Sequence, residues 1–228
     1  MIISHKYKFI FIKTAKTAST SIEIYLSRYC GDKDVLTPIY PTVENHIPRN
    51  FHGFFNPTPE LVFNRGSNLR ITFKDLFRFR KFHDHIPAKY IKKRIKSEIW
   101  DNYFKFCIER NPWDKTISDY YMRKHRSSGD LSLEEYFDNG QYCLNYFRYT
   151  DNEENLLVDK VIKFENLNEG LNEIFELIHI PFNGKLDVNA KSEYRKDRRH
   201  YREIFSDKQK MVIEEVFQKE ILMHKYAY

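Results

Sequence analysis

Between residues 7 and 27 the chain sets a strand, a polar turn and a helix end to end, and this order limits the folds open to it. Tyr7-Lys8-Phe9-Ile10-Phe11-Ile12 is short, aromatic and β-branched, with apolar residues on both alternating faces. That pattern predicts a strand buried on both sides, as in parallel sheets. Ser21-Ile22-Glu23-Ile24-Tyr25-Leu26-Ser27 brings Ile22, Tyr25 and Leu26 to helical spacing. Between the two lies Lys13-Thr14-Ala15-Lys16-Thr17-Ala18-Ser19-Thr20-Ser21, basic and rich in hydroxyls. A helix opening at such a turn presents its unpaired N–H groups and the positive end of its dipole there, which suits an anion. Lys16 and the hydroxyls of Thr17, Ser19, Thr20 and Ser21 add a charge and several donors. The guest these groups fit is a phosphate. An ordinary turn with Ser/Thr caps and solvated lysines would use the same residues. The stretch holds no glycine and does not match the G-x-x-x-x-G-K-[ST] phosphate loop.

A length of 228 residues suits one domain, residues 1–228, with a substantial core. Hydrophobic residues make up 41% and charged residues 31%, a balance expected of a soluble globular protein. No apolar run approaches the roughly 18 residues that a membrane span requires. Met1-Ile2-Ile3-Ser4-His5-Lys6 lacks the features of a signal peptide, so a cytoplasmic location is expected. Cys30, Cys107 and Cys143 share no metal-ligand spacing and read as free thiols, with Cys107 a core residue. The net charge of +6 favours anionic partners: nucleotides, acidic or sulfated glycans, nucleic acid or phospholipid.

From Asp32 to Phe82, prolines at 38, 41, 48, 57 and 59 break every period, which predicts an irregular insertion on the acceptor side of a site. His85 stands just ahead of Pro87, a first-turn residue for a basic helix that carries Lys89, Lys92, Lys93 and Arg94. That helix reads first as a solvated face. Tyr103 to Glu109 predicts a second strand, followed at once by Arg110-Asn111-Pro112-Trp113-Asp114. Asn111 suits an N-cap and Pro112 the first helical position, and Trp113, Ile117, Tyr120 and Tyr121 should form the buried face. Arg110 thus falls at the carboxyl end of a strand, where open α/β sheets place ligands, and Ser118 can point back to it. A buried Arg110 paired with a carboxylate such as Glu109, with Ser118 in solvent, is the competing structural use. Leu156 to Phe164 predicts a third strand and residues 168–179 a helix, with Leu171, Ile174, Phe175 and Ile178 inward. Ser132 with Glu135, and Ser206 with Gln209, have capping-box spacing. The last helix, with Met211, Val212, Val216 and Met223, is expected to dock on the sheet.

Two of these stretches together resemble the sulfotransferase family. Lys16-Thr17-Ala18-Ser19-Thr20-Ser21 is similar to its phosphosulfate loop, although Ala15 stands where many members have proline. Of Lys13 and Lys16, the latter keeps the family's spacing to Thr20 and Ser21. Arg110-Asn111-Pro112, with Ser118 eight positions after the arginine, is similar to the family's second motif. The resemblance, closest to carbohydrate-type members, implies an α/β, P-loop-NTPase-like three-layer sandwich with a central, mainly parallel β-sheet flanked by helices. It implies 3′-phosphoadenosine 5′-phosphosulfate (PAPS) as donor co-substrate, a hydroxyl-bearing acceptor such as a glycan, and no metal. Lys16 and residues Thr17, Ala18, Ser19, Thr20 and Ser21 would then hold the 5′-phosphate, and Arg110 and Ser118 the 3′-phosphate. A basic segment over residues 190–205, with Arg195, would close over the nucleotide. His85 is the expected base, with His83, His46 and His52 as rivals. A kinase with a non-standard phosphate loop and a basic nucleic-acid-binding protein remain the alternative readings.

Overall fold

The computed structural model describes residues 1–44, 46–63, 69–187, 194, 195, 197 and 199–228. Five strands form one sheet in the order β3-β1-β2-β4-β5. β1 (Ile2–Ser4) and β2 (Phe9–Phe11) pair antiparallel, with Ile2 opposite Phe11. β3 (Val35–Leu36) adds antiparallel to the outer edge of β1. β4 (Phe104–Glu109) lies parallel to β2, and β5 (Lys160–Lys163) parallel to β4. The sheet is therefore mixed, and the expected mainly parallel arrangement is realised only across β2, β4 and β5. The cause is chain length. Only residues 5–8 separate β1 from β2, enough for a hairpin but far short of a parallel crossover.

α1 (Ser19–Ser27) follows β2, and α2 (Thr58–Phe63) and α3 (Leu69–Phe77) lie in the stretch that looked irregular in sequence. Pro57 and Pro59 stand at the start of α2, where proline is tolerated, rather than interrupting it. The basic stretch after Pro87 divides into α4 (Ala88–Arg94) and α5 (Ser97–Asn102). Its Arg94 is not solvated: it is buried, with Nε 2.6 Å from Glu60 Oε1 and Nη1 3.0 Å from Asp75 Oδ2. α6 (Pro112–Arg126) begins as the sequence predicts, the Asn111 side chain accepting from the N–H groups of Trp113 and Asp114. α7 (Leu133–Asp138), α8 (Tyr146–Tyr149), α9 (Leu167–Leu177), α10 (Tyr201–Ile204), α11 (Asp207–Val216) and α12 (Gln218–His224) complete the described helices. Both expected capping boxes form, at Ser132 and Ser206. None of the described helices is long and apolar enough to cross a membrane.

Alternation along the strands builds three layers. Phe9, Phe11, Phe106, Ile108 and Ile162 face α1 and α9 through Ile22, Leu26, Leu171 and Phe175. Ile10, Ile12 and Cys107 face the other way, toward Tyr90, Ile91, Trp100 and Tyr149 of α4, α5 and α8. With both faces covered, the strands favour apolar residues on either side, which explains the unbroken Phe9–Phe11 of β2 and the Phe-Cys-Ile run at 106–108 of β4, where the buried Lys105 and Glu109 are held by ion pairs. A separate cluster joins Trp113 and Ile117 of α6 to Tyr201, Phe205, Ile213 and Phe217. α11 thus docks on α6, with Met211 67% exposed, while Met223 of α12 packs against the Ile10, Ile12 and Cys107 cluster, so the expected docking on the sheet is met by α12 and not by α11. Starting at Asp207, the helix turns Ile213 and Phe217, four residues apart, to one side.

Candidate functional site

β2 and β4 are parallel neighbours, so the segments that leave their carboxyl ends emerge side by side. Lys16, Thr17, Ala18, Ser19, Thr20 and Ser21 come from the first, and Arg110 and Ser118 from the second. With His85 and Arg195 they line one cleft of about 790 Å³. The expected site residues are thereby all on one cavity, of a size common for small-molecule sites. Within the basic 190–205 segment, residues 190–193, 196 and 198 lie outside the described residues.

The loop between β2 and α1 does without glycine at a conformational cost. Lys16 (φ 63°) and Ala18 (φ 55°) are left-handed, which costs about 1–3 kcal/mol each for residues bearing a Cβ. Neighbouring groups hold the loop in place. Asn145, fully buried, accepts from Ala15 N through Oδ1 and donates from Nδ2 to Ala15 O, both at 2.9 Å. Ser19 Oγ donates to Thr14 O at 2.5 Å, and the Thr14 and Thr17 hydroxyls bond at 2.8 Å. The Thr17 and Ser19 hydroxyls therefore brace the loop itself. Those of Thr20 and Ser118 have no partner among the described residues. No side chain caps α1 at Ala18. A left-handed loop leading into an uncapped helix start gathers backbone N–H groups into a concave anion site.

The two lysines of the loop have separate fates. Lys13 is buried, its Nζ 2.6 Å from Glu23 Oε2 and 2.9 Å from Asp84 Oδ1. Burial opposes its charge, but Glu23 and Asp84 outweigh burial and raise its pKa. Lys16 has no ion pair among the described residues, and burial, only partly offset by Asp119, lowers its pKa to about 8. It is a cation without an ion pair among the described residues, on the lining of the cleft.

The Arg110 guanidinium pairs with a carboxylate, but with Asp114 (2.6 Å) and not with Glu109, which takes Lys115 at 2.8 Å and the Arg110 backbone N–H at 2.9 Å. Its Nε donates to Asp114 Oδ2 at 2.8 Å and its Nη1 to Lys16 O at 3.1 Å. The guanidinium lies 4.2 Å from the centre of the Phe164 ring. Arg195 Nη1 reaches the other Asp114 oxygen at 2.7 Å, so one carboxylate aligns two guanidinium groups at the cleft. Burial would raise the pKa of Asp114, but Arg110 and Arg195 prevail and lower it.

His85 Nδ1 lies 3.1 Å from Lys13 O. A carbonyl only accepts, so the hydrogen sits on Nδ1 and Nε2 carries the lone pair, 3.4 Å from Asp84 Oδ2. Burial, which outweighs the attraction of Asp84, lowers the His85 pKa to about 4. The other candidate histidines are not on this cleft: His46 bonds Thr37 O, His52 bonds Phe79 O and His83 bonds Asp84 O. Sequence reasoning missed Asp84, Asn145 and Asp114 as partners. Asp84 and Asp114 are each near a candidate in sequence, but Asn145 is 130 residues from Ala15 and carries no local signal.

No protein-family model matches the chain. A protein of Archaeoglobus fulgidus described as uncharacterized is 34% identical over 118 residues, 49% of this chain and 98% of its own length. A sulfotransferase from Alicyclobacillus acidocaldarius aligns over 92% of this chain and 95% of its own, with 17% identity and a TM-score of 0.39. Mouse sulfotransferase SULT7A1, complexed with PAP, aligns over 96% of this chain and 85% of its own, with 14% identity and a TM-score of 0.42.

Proposed function

We propose that this chain, which belongs to the family of that archaeal protein, is a sulfotransferase that uses PAPS as donor. The observation that carries this reading is the ammonium of Lys16, without an ion pair among the described residues, on the same cleft as the Asp114-aligned guanidinium of Arg110, each at the tip of a parallel strand. The two cations suit the two phosphorylated ends of one adenosine. In this reading β2-α1 and β4-α6 are the P-loop-like half of the sheet, and the whole of 1–228 serves one site. The N–H groups at the start of α1 and the Thr20 hydroxyl bind the 5′-phosphate, and Arg110, Ser118 and Arg195 bind the 3′-phosphate.

The reaction follows from where charge develops. An acceptor hydroxyl oxygen, for which a sugar is the first candidate, attacks sulfur, and the bond from sulfur to the 5′-phosphate oxygen breaks. The sulfate ester and 3′,5′-bisphosphoadenosine result. Negative charge grows on the departing oxygen, so an ammonium held there stabilises the transition state more than the ground state. Lys16 supplies it. The acceptor's proton passes to His85 Nε2, which is unprotonated at neutral pH, and the imidazolium so formed is met by Asp84 3.4 Å away. No step requires a metal.

Isothermal titration with 3′,5′-bisphosphoadenosine and with ATP tests the donor. The bisphosphate is expected to bind in the micromolar range and ATP at least about tenfold more weakly, with the preference lost in Arg110→Ala. Equal affinity for the two nucleotides would reject the assignment and favour a kinase.

A further inference from the structure

From the amphipathic surface on α3 and the turn after it, we propose that the protein docks on bilayers containing anionic phospholipid. This inference is independent of the donor reading. Residues 70–81 contain five basic residues and one acid, Asp75. On α3, Arg70 and Lys74 lie beside Phe73 and Phe77, each pair four residues apart, and all four are exposed. Phe77 is 87% exposed. Beyond the helix, Phe79 packs edge-on against Phe54, their centroids 4.4 Å apart, and Phe54 is itself 76% exposed.

Burial of the acids makes this face distinctive. Asp75 and Glu60 are fully buried, both held by Arg94 from α4. Thr72 Oγ1 adds a bond to Glu60 Oε2 at 2.7 Å, and Arg80 pairs with Asp75 at 2.8 Å. Every described carboxylate of α2 and α3 is thus turned inward and neutralised there. The outward side keeps cations and aromatic rings with no acid among them. A polar protein partner would leave four phenylalanines without apolar cover, and a second copy of this chain would oppose cation to cation. A bilayer with anionic headgroups satisfies both features, since rings enter the interface while the cations stay at headgroup level.

Vesicle co-sedimentation of the full chain tests this. With phosphatidylcholine vesicles containing about one part in three phosphatidylserine, retention should exceed that on pure phosphatidylcholine at least about tenfold and fall with salt. Phe73→Ser with Phe77→Ser, and separately Arg70→Glu with Lys74→Glu, should each reduce retention to background while leaving the thermal midpoint and bisphosphate affinity unchanged. Wild-type protein staying in the supernatant would overturn the proposal, as would loss with the charge variant alone. A concentration-dependent dimer in sedimentation velocity that Phe73→Ser with Phe77→Ser abolishes would assign the face to self-association instead.

Discussion

Lys13 and Lys16 stand three positions apart, have the same chemistry, and are put to opposite uses. Lys13 is spent on Glu23 and Asp84, and its charge is locked in the interior. Lys16 is desolvated without an ion pair among the described residues, so its charge is held weakly and a bound phosphate would reinforce it. This difference gives a pH prediction. The ammonium form binds the bisphosphate, and in the free protein it is lost as pH rises through about 8. Affinity measured by titration calorimetry should be flat from pH 6 to 7.5, then fall about tenfold per unit above pH 8, one proton per site. Lys16→Ala should bind weakly with no such slope, whereas Lys16→Arg should restore flat binding. An unchanged affinity in wild-type protein at pH 10 would remove Lys16 from the phosphate site.

Among the elements, the loop between β2 and α1 depends on Asn145, which lies just ahead of α8 and far away in sequence. Its amide pairs with the Ala15 peptide much as a neighbouring strand would, and its own N–H is held by Glu220 Oε1 at 2.7 Å. Without glycine, the left-handed turns at Lys16 and Ala18 need such external bracing. Asn145→Ala leaves the half-buried Ala15 N–H and C=O without this partner and should cost about 1–3 kcal/mol in urea unfolding. It should also weaken bisphosphate binding more than about tenfold, although the residue is not expected to touch the nucleotide; unchanged affinity would show that the loop holds itself. The same element shows how far sequence reaches. The strand-turn-helix order, the Asn111 cap, Pro112 and the cleft position of Arg110 were legible because each rests on spacing within a few residues. The hairpin of β1 with β2 was not, since the three residues of β1, two isoleucines and a serine, are too few to carry a period. α2 and α3 were hidden by prolines at a helix start and by an inward face built on Thr72, Asp75 and Glu60 rather than on apolar residues. The bracing of the site was hidden because its partners meet only after folding.

For the whole molecule, buried charge joins parts distant in sequence. Lys115 of α6 pairs with Glu109 of β4 at 2.8 Å and Glu220 of α12 at 3.1 Å, while Lys13 joins Glu23 of α1 to Asp84. Breaking one partner of such a cluster strands a buried charge, so these clusters tie the folded state to a narrow range of protonation. The histidines set its acid edge. His46, His83, His85 and His224 all have pKa values lowered by burial, that of His85 to about 4. Below the ordinary imidazole value of about 6.5, the unfolded chain takes up protons that the folded one refuses, so stability falls as pH falls. Glu220, its pKa raised by burial, acts in the opposite direction, one carboxylate against four imidazoles. Glu23, Asp84 and Asp114 are held below the ordinary carboxylate range; their contribution persists until pH falls below about 4. Two successive losses follow, the first from imidazoles and the second from carboxylates. Differential scanning calorimetry should show the midpoint falling by about 5–10 °C between pH 7 and pH 5, with a second fall below pH 4. His85→Gln should flatten part of the first fall and leave the second intact. A midpoint constant from pH 7 to pH 5 would mean that the four imidazoles stay accessible to protons in the folded protein.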